Sequence, residues 1–354
     1  VARPINDSGL FWTVRGLGQA GYGPWTREDI ARLGSGRQIV PRFLIDQDGV
    51  IISTITNRAD LQQAMTMIIA AIDDMHYNET AVSRLKMAFL ASYRSFVNKP
   101  SMMMSSMGTS FLFGGDKRFI TIPKSSEIDA LSLNDFKTFW TNELSQGPVR
   151  ITILGDFDPA TTPALAVDYF SRLSPRMTPI PDTKLTEVRA AATNALKRNI
   201  LYHVGDEGSG MLTKIYPTIS SEDNLEETRA LQVAALIIKT RLSEGFRAQQ
   251  GSSYLPTANT YIHRALPHYG SLTIAAEMPV DRMEAFRSET DTIIANLAKY
   301  GPDADSMMRA KAPLLNEVTQ LRRSNNYWLQ IMGDDLDNQK IIEAARSYIT
   351  GREK

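Results

Sequence analysis

LQQAMTMIIAAI, residues Leu61 to Ile72, sets apolar side chains at Leu61, Ala64, Met65, Ile68, Ile69 and Ile72. That is the i, i+3, i+4, i+7, i+8, i+11 stripe of an amphipathic helix. Just upstream, Arg37 to Thr56 carries β-branched residues on both sides of Asp46, Asp48 and Gly49, which predicts two strands joined by a turn around Gln47 to Gly49. Downstream, past Tyr77 to Glu79, a second helix is predicted over Ala81 to Phe96. The same order returns later in the chain. GSLTIAAE, Gly270 to Glu277, reads as a strand, and Pro279 with Asp281 opens a helix whose Met283, Phe286, Ile293, Ile294 and Leu297 face one way. After Gly301 and Pro302 another helix is predicted to about Arg322, kinked at Pro313. The pattern predicts one unit of about 170 residues present twice.

The other segments complete each copy. A helix over Leu133 to Leu144 is opened by Ser132 and Asp135, and a strand over Pro148 to Gly155 runs into GDFDP. There Asp158 suits an N-cap and Pro159 the first helical position, for a helix to about Leu173. Pro175, Pro179 and Pro181 cannot continue a helix, so the predicted domains are 1–182 and 183–354, with Thr183 to Arg198 as a polar, Ala-rich connector. In the second domain Asn199 to Val204 and Met211 to Pro217 read as strands. Glu226 to Gln249 reads as a long helix with Leu231, Ala234, Ala235, Ile238 and Leu242 on one face. The expected fold class is α+β: two similar repeats, each a mixed, largely antiparallel sheet covered by helices.

With 354 residues, 43% of them hydrophobic and 22% charged, the chain is long enough for about two domains. Lys plus Arg equals Asp plus Glu at 39 each, so no global field draws it to nucleic acid or an acidic membrane surface. There is no cysteine, which excludes disulfides, thiolate metal sites and cysteine nucleophiles and fits either a reducing or an oxidising compartment. No run of about 18 apolar residues is present to span a membrane, and the N-terminus lacks the order of a signal peptide. Val1 opens the chain in place of Met, as expected of a processed or excised piece.

Several motifs have a plain reading beside a functional one. Gly16, Gly18 and Gly21 spell GxGxxG, but Gly23 and Pro24 interrupt the chain where the dinucleotide fingerprint needs a helix. A flexible loop is the expectation, and saturable NAD binding is not. His76 and Glu79, in HYNET, offer part of a zinc motif whose second histidine is absent, since position 80 is Thr. His203, His263 and His268 show no ligand-like spacing, and the last two flank a turn at Pro267. Asp156 and Asp158 could pair for acid and base work, although a helix cap explains Asp158. Met102, Met103, Met104 and Met107 suit an adaptable binding surface or, more commonly, a packed interface. No GxSxG elbow is present.

RLSEGFRAQQGSSY, Arg241 to Tyr254, differs in kind. Arg241, Glu244 and Arg247 lie toward the end of the long helix, Gly251 is placed to stop it, and Tyr254 starts an extended stretch. Guanidinium donors grip a carbonyl or carboxylate and a phenol donates to a developing oxyanion, so Arg247 and Tyr254 can converge on one ligand. An arginine paired with Glu244 and a tyrosine half buried in the core is the alternative.

With ILGDFDP at Ile153 to Pro159, LTIAAEMP before a helix, and the duplicated unit, this segment resembles the zinc-free C-terminal half of the insulinase-like (pitrilysin) zinc metallopeptidase family. The resemblance runs from about Arg15 to Trp328. It implies a chamber of two halves, one holding zinc through HxxEH and the other lending an Arg and a Tyr to the substrate. Arg247 would then anchor the peptide backbone and Tyr254 would stabilise the tetrahedral intermediate. HxxEH is absent here, so zinc and the general-base glutamate are expected from a zinc-bearing partner half, and a periplasmic address is implied. The resemblance also implies that the first domain is N-terminally incomplete and that a closing strand should follow the last long helix. The competing reading is a catalytically inactive homologue acting as a peptide-binding or assembly module.

Overall fold

The computed structural model describes residues 10, 12–46, 49–108, 113, 122–176, 198–220, 223–250, 255–262, 268–332 and 338–347. By contacts the chain divides into two compact units, 1–96 with 109–188, and 97–108 with 189–354. The boundary expected at 182/183 lies outside the described residues.

In the first unit, α1 (Val14–Leu17) leads to β1 (Gly21–Tyr22) and α2 (Arg27–Leu33). Thr26 and Asp29 close a capping box on α2. β2 (Arg42–Asp46) and β3 (Gly49–Ser53) pair antiparallel, Phe43 opposite Ile52, as the alternation predicts. Their turn at 47–48 lies outside the described residues. α3 spans Leu61–Asp73, one residue beyond the predicted stripe, and buries Ala64, Met65, Met67 and Ala71. β4 (Met75–His76) pairs with β1, and α4 (Glu79–Asn98) buries Ala81, Val82, Leu85 and Phe89. α5 (Pro100–Met103) and the π-helical turn Met104–Gly108 group with the second unit.

α6 (Ser125–Ala130) and α7 (Leu133–Ser145) follow. Ser132 and Asp135 form the expected capping box: the Asp135 N–H donates to Ser132 Oγ at 3.1 Å and the Ser132 N–H to Asp135 Oδ2 at 2.9 Å. α7 plants Phe136 and Trp140, both 0% exposed, in a core shared with Leu17, Tyr22, Met67 and Leu85. The Trp140 indole donates to Thr13 Oγ1 at 2.8 Å, inside that core.

Pro148 to Gly155, expected as a strand, forms no ladder with another described residue, and Val149 and Ile151 are 38% and 40% exposed. One expectation in this unit is corrected. The helix after GDFDP, α8, spans Thr162–Phe170 and does not start at Pro159. Pro163 explains the shift, because its missing N–H and its ring are tolerated only in a first turn.

In the second unit β5 (Ser209–Thr218), β7 (Gly270–Pro279) and β6 (Thr257–Ile262) form one antiparallel sheet with β7 in the middle. β7 is buried over most of its length, as a central strand should be. α9 (Leu225–Gln250) and α10 (Met283–Tyr300), the latter after a 3-10 turn at Val280–Arg282, pack Ile238, Leu242 and Phe286 against Leu272, Ile274 and Met278 of the sheet. Gly301, at φ 71°, ends α10. α11 (Ala304–Leu321) continues through Pro313, and its Ala310 packs on Val233 and Ile237 of α9. α12 (Asn325–Met332) and α13 (Gln339–Arg346) follow. The buried Arg229 of α9 donates to the Ala344 carbonyl at 3.1 Å and to Ser347 Oγ at 3.0 Å.

Asn199 to Val204, expected as a strand, forms no ladder with another described residue, and Ile200, Tyr202 and Val204 are 58%, 82% and 77% exposed. The Val97 carbonyl accepts from the Val204 N–H at 2.9 Å, and a turn lies at His203. There Nδ1 accepts the Gly205 N–H at 3.1 Å, so Nε2 carries the proton that bonds the Ser209 carbonyl at 2.8 Å. Helices and small antiparallel sheets together make the architecture mixed, compatible with α+β.

Candidate functional site

The long helix α9 is the element on which the site is built. Asn224 opens it, accepting the Glu227 N–H at 3.1 Å, and Glu226 and Glu227 complement the helix dipole. One stripe of α9 faces the sheet and another faces α11, so its course is fixed from two sides. Toward the C-terminal end charges take over. Arg241 donates to Asp303 at 3.2 Å, and Arg309 of α11 donates to Glu244 at 3.2 Å while also pairing with Asp305 at 2.9 Å. Glu244 is thus engaged from α11.

Asp303 heads α11. Its carboxylate accepts the Ser306 hydroxyl at 2.7 Å and the Ser306 N–H at 2.8 Å, which hold its pKa down to about 2. Because the folded value lies below the ordinary Asp range near ~4, the cap stabilises fully above that range and fades as pH falls toward about 2. NMR titration of the Asp303 carboxyl should give a midpoint near the lower figure, and Ser306→Ala should raise it. A midpoint near the ordinary value in both proteins would contradict the cap.

At Gly245 the backbone of α9 meets α10. A Cβ built there would stand 2.0 Å from Glu289 Oε1, so glycine is what lets this carboxylate lie against the helix. Burial pushes the Glu289 pKa up. The helix is described as far as Gln250, and Gly251, expected to stop it, lies outside the described residues. Arg247 lies in its last turn by backbone, its side chain outside the described ones, and Tyr254 lies outside the described residues altogether. Next in the described chain comes the outer strand β6, which packs on α9 and pairs with β7, Ala258 opposite Ile274.

The other candidates resolve locally. Asp158 Oδ1 accepts the Ala160 N–H at 2.9 Å and Oδ2 the Thr161 hydroxyl at 2.8 Å, which hold its carboxyl below the usual range in that order of weight. Asp156 is bound by Arg58 at 2.6 Å. Asp158 thus closes a local turn and Asp156 makes an exposed ion pair with Arg58, which opposes the paired acid and base reading.

Gly16 sits buried inside α1, where a Cβ would crowd Phe136 and Leu85 at 3.0 and 3.1 Å. Gly21 begins β1, where a Cβ would stand 2.5 Å from the Trp25 carbonyl. The glycines therefore serve close packing, which corrects the loop expectation. His76 ends β4 with its side chain exposed, and Glu79 begins α4. His263 lies outside the described residues. Among the described residues no three His, Cys, Asp or Glu side chains are grouped to hold a metal ion, and no helix is long and apolar enough to cross a membrane.

Sequence reasoning missed one polar cluster. His268, the only non-glycine at positive φ among the described residues (65°), bonds Asp223, which also accepts from the buried Ser220 at 3.3 Å. His268 and then Ser220 hold the Asp223 carboxyl below its usual range. Nothing in local spacing signals a pair 45 positions apart.

Residues 130–314, more than half of the chain, match the family described as "Peptidase M16 inactive domain". No curated protein matches the sequence. Among solved structures, a protease from Helicobacter pylori is similar at TM-score 0.73 and 13% identity over 99% of this chain and 86% of that one. A peptidase M16 inactive domain from Pseudomonas fluorescens is similar at TM-score 0.64 and 15% identity over 98% and 84%. The periplasmic protease PqqL from Escherichia coli is similar at TM-score 0.59 and 14% identity, and this chain spans 99% of itself but 40% of that protein. At these identities the likeness to solved structures is one of fold.

Proposed function

The chain belongs to the peptidase M16 family as an inactive domain of it, and on that premise we propose that it is the non-zinc half of an insulinase-like metallopeptidase, its two units repeats of one α+β fold. Arg247 and Tyr254 contact peptide substrate at a zinc site held by a partner half. One observation carries this reading. The segment leaves a helix pinned to α11 by the Arg241–Asp303 and Arg309–Glu244 pairs and enters an outer sheet strand. Arg247 belongs to the last turn of that helix and Tyr254 follows it by seven positions, which supports a shared ligand.

HxxEH is absent from the sequence, and no ligand trio is grouped among the described residues. Zinc in the partner half would supply the Lewis acid and the nucleophilic water. This chain's own part is to hold the peptide backbone through the Arg247 guanidinium and to donate the Tyr254 phenol proton as a hydrogen bond to the carbonyl oxygen as it gains charge. A periplasmic address follows from the same reading, supported by the periplasmic protease of similar fold.

Reconstitution tests it. The chain is mixed with its zinc-bearing half and cleavage of a fluorescence-quenched peptide is followed. Turnover is expected only when both are present. A zinc half equally active alone overturns the proposal, and a complex that forms without turnover points to an assembly module.

A further inference from the structure

Glu289 of α10 sets a carboxyl group against bare backbone. The Cβ of any residue other than glycine at position 245 of α9 would run into Glu289 Oε1. Phe286 and Ile293, three positions before Glu289 and four after it, belong to the core that α10 shares with α9 and the sheet. Residues at these spacings share a helix face, so the half-buried Glu289 lies on the edge of α10 that meets the core.

The charged groups of the neighbouring turns are committed elsewhere. On α9, Arg241 is held by Asp303 and Glu244 by Arg309, and the Arg247 side chain lies outside the described ones. On α10, Arg287 is shared between Glu284 and Asp291, and Lys214 of β5 also bonds Asp291. β7 carries one charge, the exposed Glu277, and β6 carries none. Among the described residues no hydrogen bond or ion pair reaches Glu289.

We propose that Glu289 is a proton-operated seat for the C-terminal turns of α9: with its carboxyl neutral those turns rest on α10, and with it ionised they loosen, which sets how firmly Arg247 is held. A carboxylate partly shielded from water and left without a cation costs free energy that the neutral acid does not. The chain relieves that cost by taking up a proton or by admitting water between the helices. Burial accordingly pushes the Glu289 pKa up. Unfolded, the group titrates at the ordinary ~4.3. Between that value and the higher folded one the folded chain binds more protons than the unfolded chain, so stability falls as pH rises through the window and stays at the lower level above it. The consequence for Arg247 rests on the peptidase reading, and the seat itself does not.

Hydrogen–deuterium exchange of the full chain, corrected for the intrinsic rate at each pH, reads the seat. In wild type, protection of the amides from Leu242 to Gln250 should fall several-fold between about pH 5 and about pH 8. Glu289→Gln, close in shape and neutral throughout, should keep its protection over that range, while amides of the first unit change alike in both proteins. Chemical denaturation gives a second reading: Glu289→Gln should be more stable than wild type at the higher pH and match it as pH falls toward the ordinary Glu range. An equal loss of protection in both proteins, or a Glu289→Gln variant less stable at the higher pH, overturns the seat. In the reconstituted peptidase the wild-type KM should rise over the same range and that of Glu289→Gln should not; a KM that moves alike in both overturns the link to Arg247. The exchange result needs no partner half, so a failed reconstitution bears on the peptidase reading and not on the seat.

Discussion

Tyr254→Phe lowers kcat of the reconstituted peptidase by about 10²–10³-fold, the usual loss for one oxyanion donor. KM changes little, because the hydrogen bond forms fully only as the carbonyl oxygen becomes an oxyanion. The substitution removes one hydroxyl and keeps the ring. Arg247→Ala should separate from it: a guanidinium holding the peptide backbone binds ground and transition states alike, so its loss appears mainly in KM. Circular dichroism and affinity for the zinc half should match wild type in both variants. Turnover of Tyr254→Phe at the wild-type rate would remove Tyr254 from the chemistry while leaving the reconstitution result standing.

Trp140→Ala destabilises the first unit by about 3–5 kcal/mol, the range for truncating a large buried aromatic. Trp140 is fully buried at the centre of a core that includes Phe136, Leu17 and Met67, with its indole bonded to Thr13. Thr13 is itself fully buried, so its hydroxyl would lose a partner that water replaces only if the cavity wets. Trp140→Phe should cost less, since it removes the hydrogen bond and keeps most of the ring volume. Chemical denaturation followed by circular dichroism orders the three proteins, and an unmoved midpoint for the alanine variant would contradict the core described above.

Helices were legible because their signals are local. The stripe from Leu61 to Ile72 and the Ser132–Asp135 box each sit within a turn or two of what they determine, and α3 and α7 follow them closely. The hairpin β2–β3 and the strand β7 were legible for a similar reason, as β-branched runs beside turn residues. Pro148 to Gly155 and Asn199 to Val204 have the same alternation, but a strand also needs a neighbour that its own sequence does not specify, and none stands beside them among the described residues. Pro163 shifted the start of α8 by a rule readable in advance, had its missing N–H been weighed against the cap at Asp158. At the candidate site the long helix was legible and the pinning of Arg241 and Glu244 was not, since Asp303 and Arg309 lie some sixty positions away.

The grouping of Val97–Gly108 with the second unit bears on how the protein can be taken apart. Val97 supplies the carbonyl that binds the Val204 N–H, α5 packs on β5, and the Asn98 carbonyl lies where a Cβ on Gly205 would stand, 2.0 Å away. A fragment cut at the proline-rich stretch and expressed alone begins after these residues. Its leading segment Asn199 to Val204 loses its backbone partner, and the surface of β5 that α5 covers is opened to water. The second unit is therefore discontinuous in sequence. A faithful excised form would carry Val97–Gly108 on a linker, or be circularly permuted to regain it.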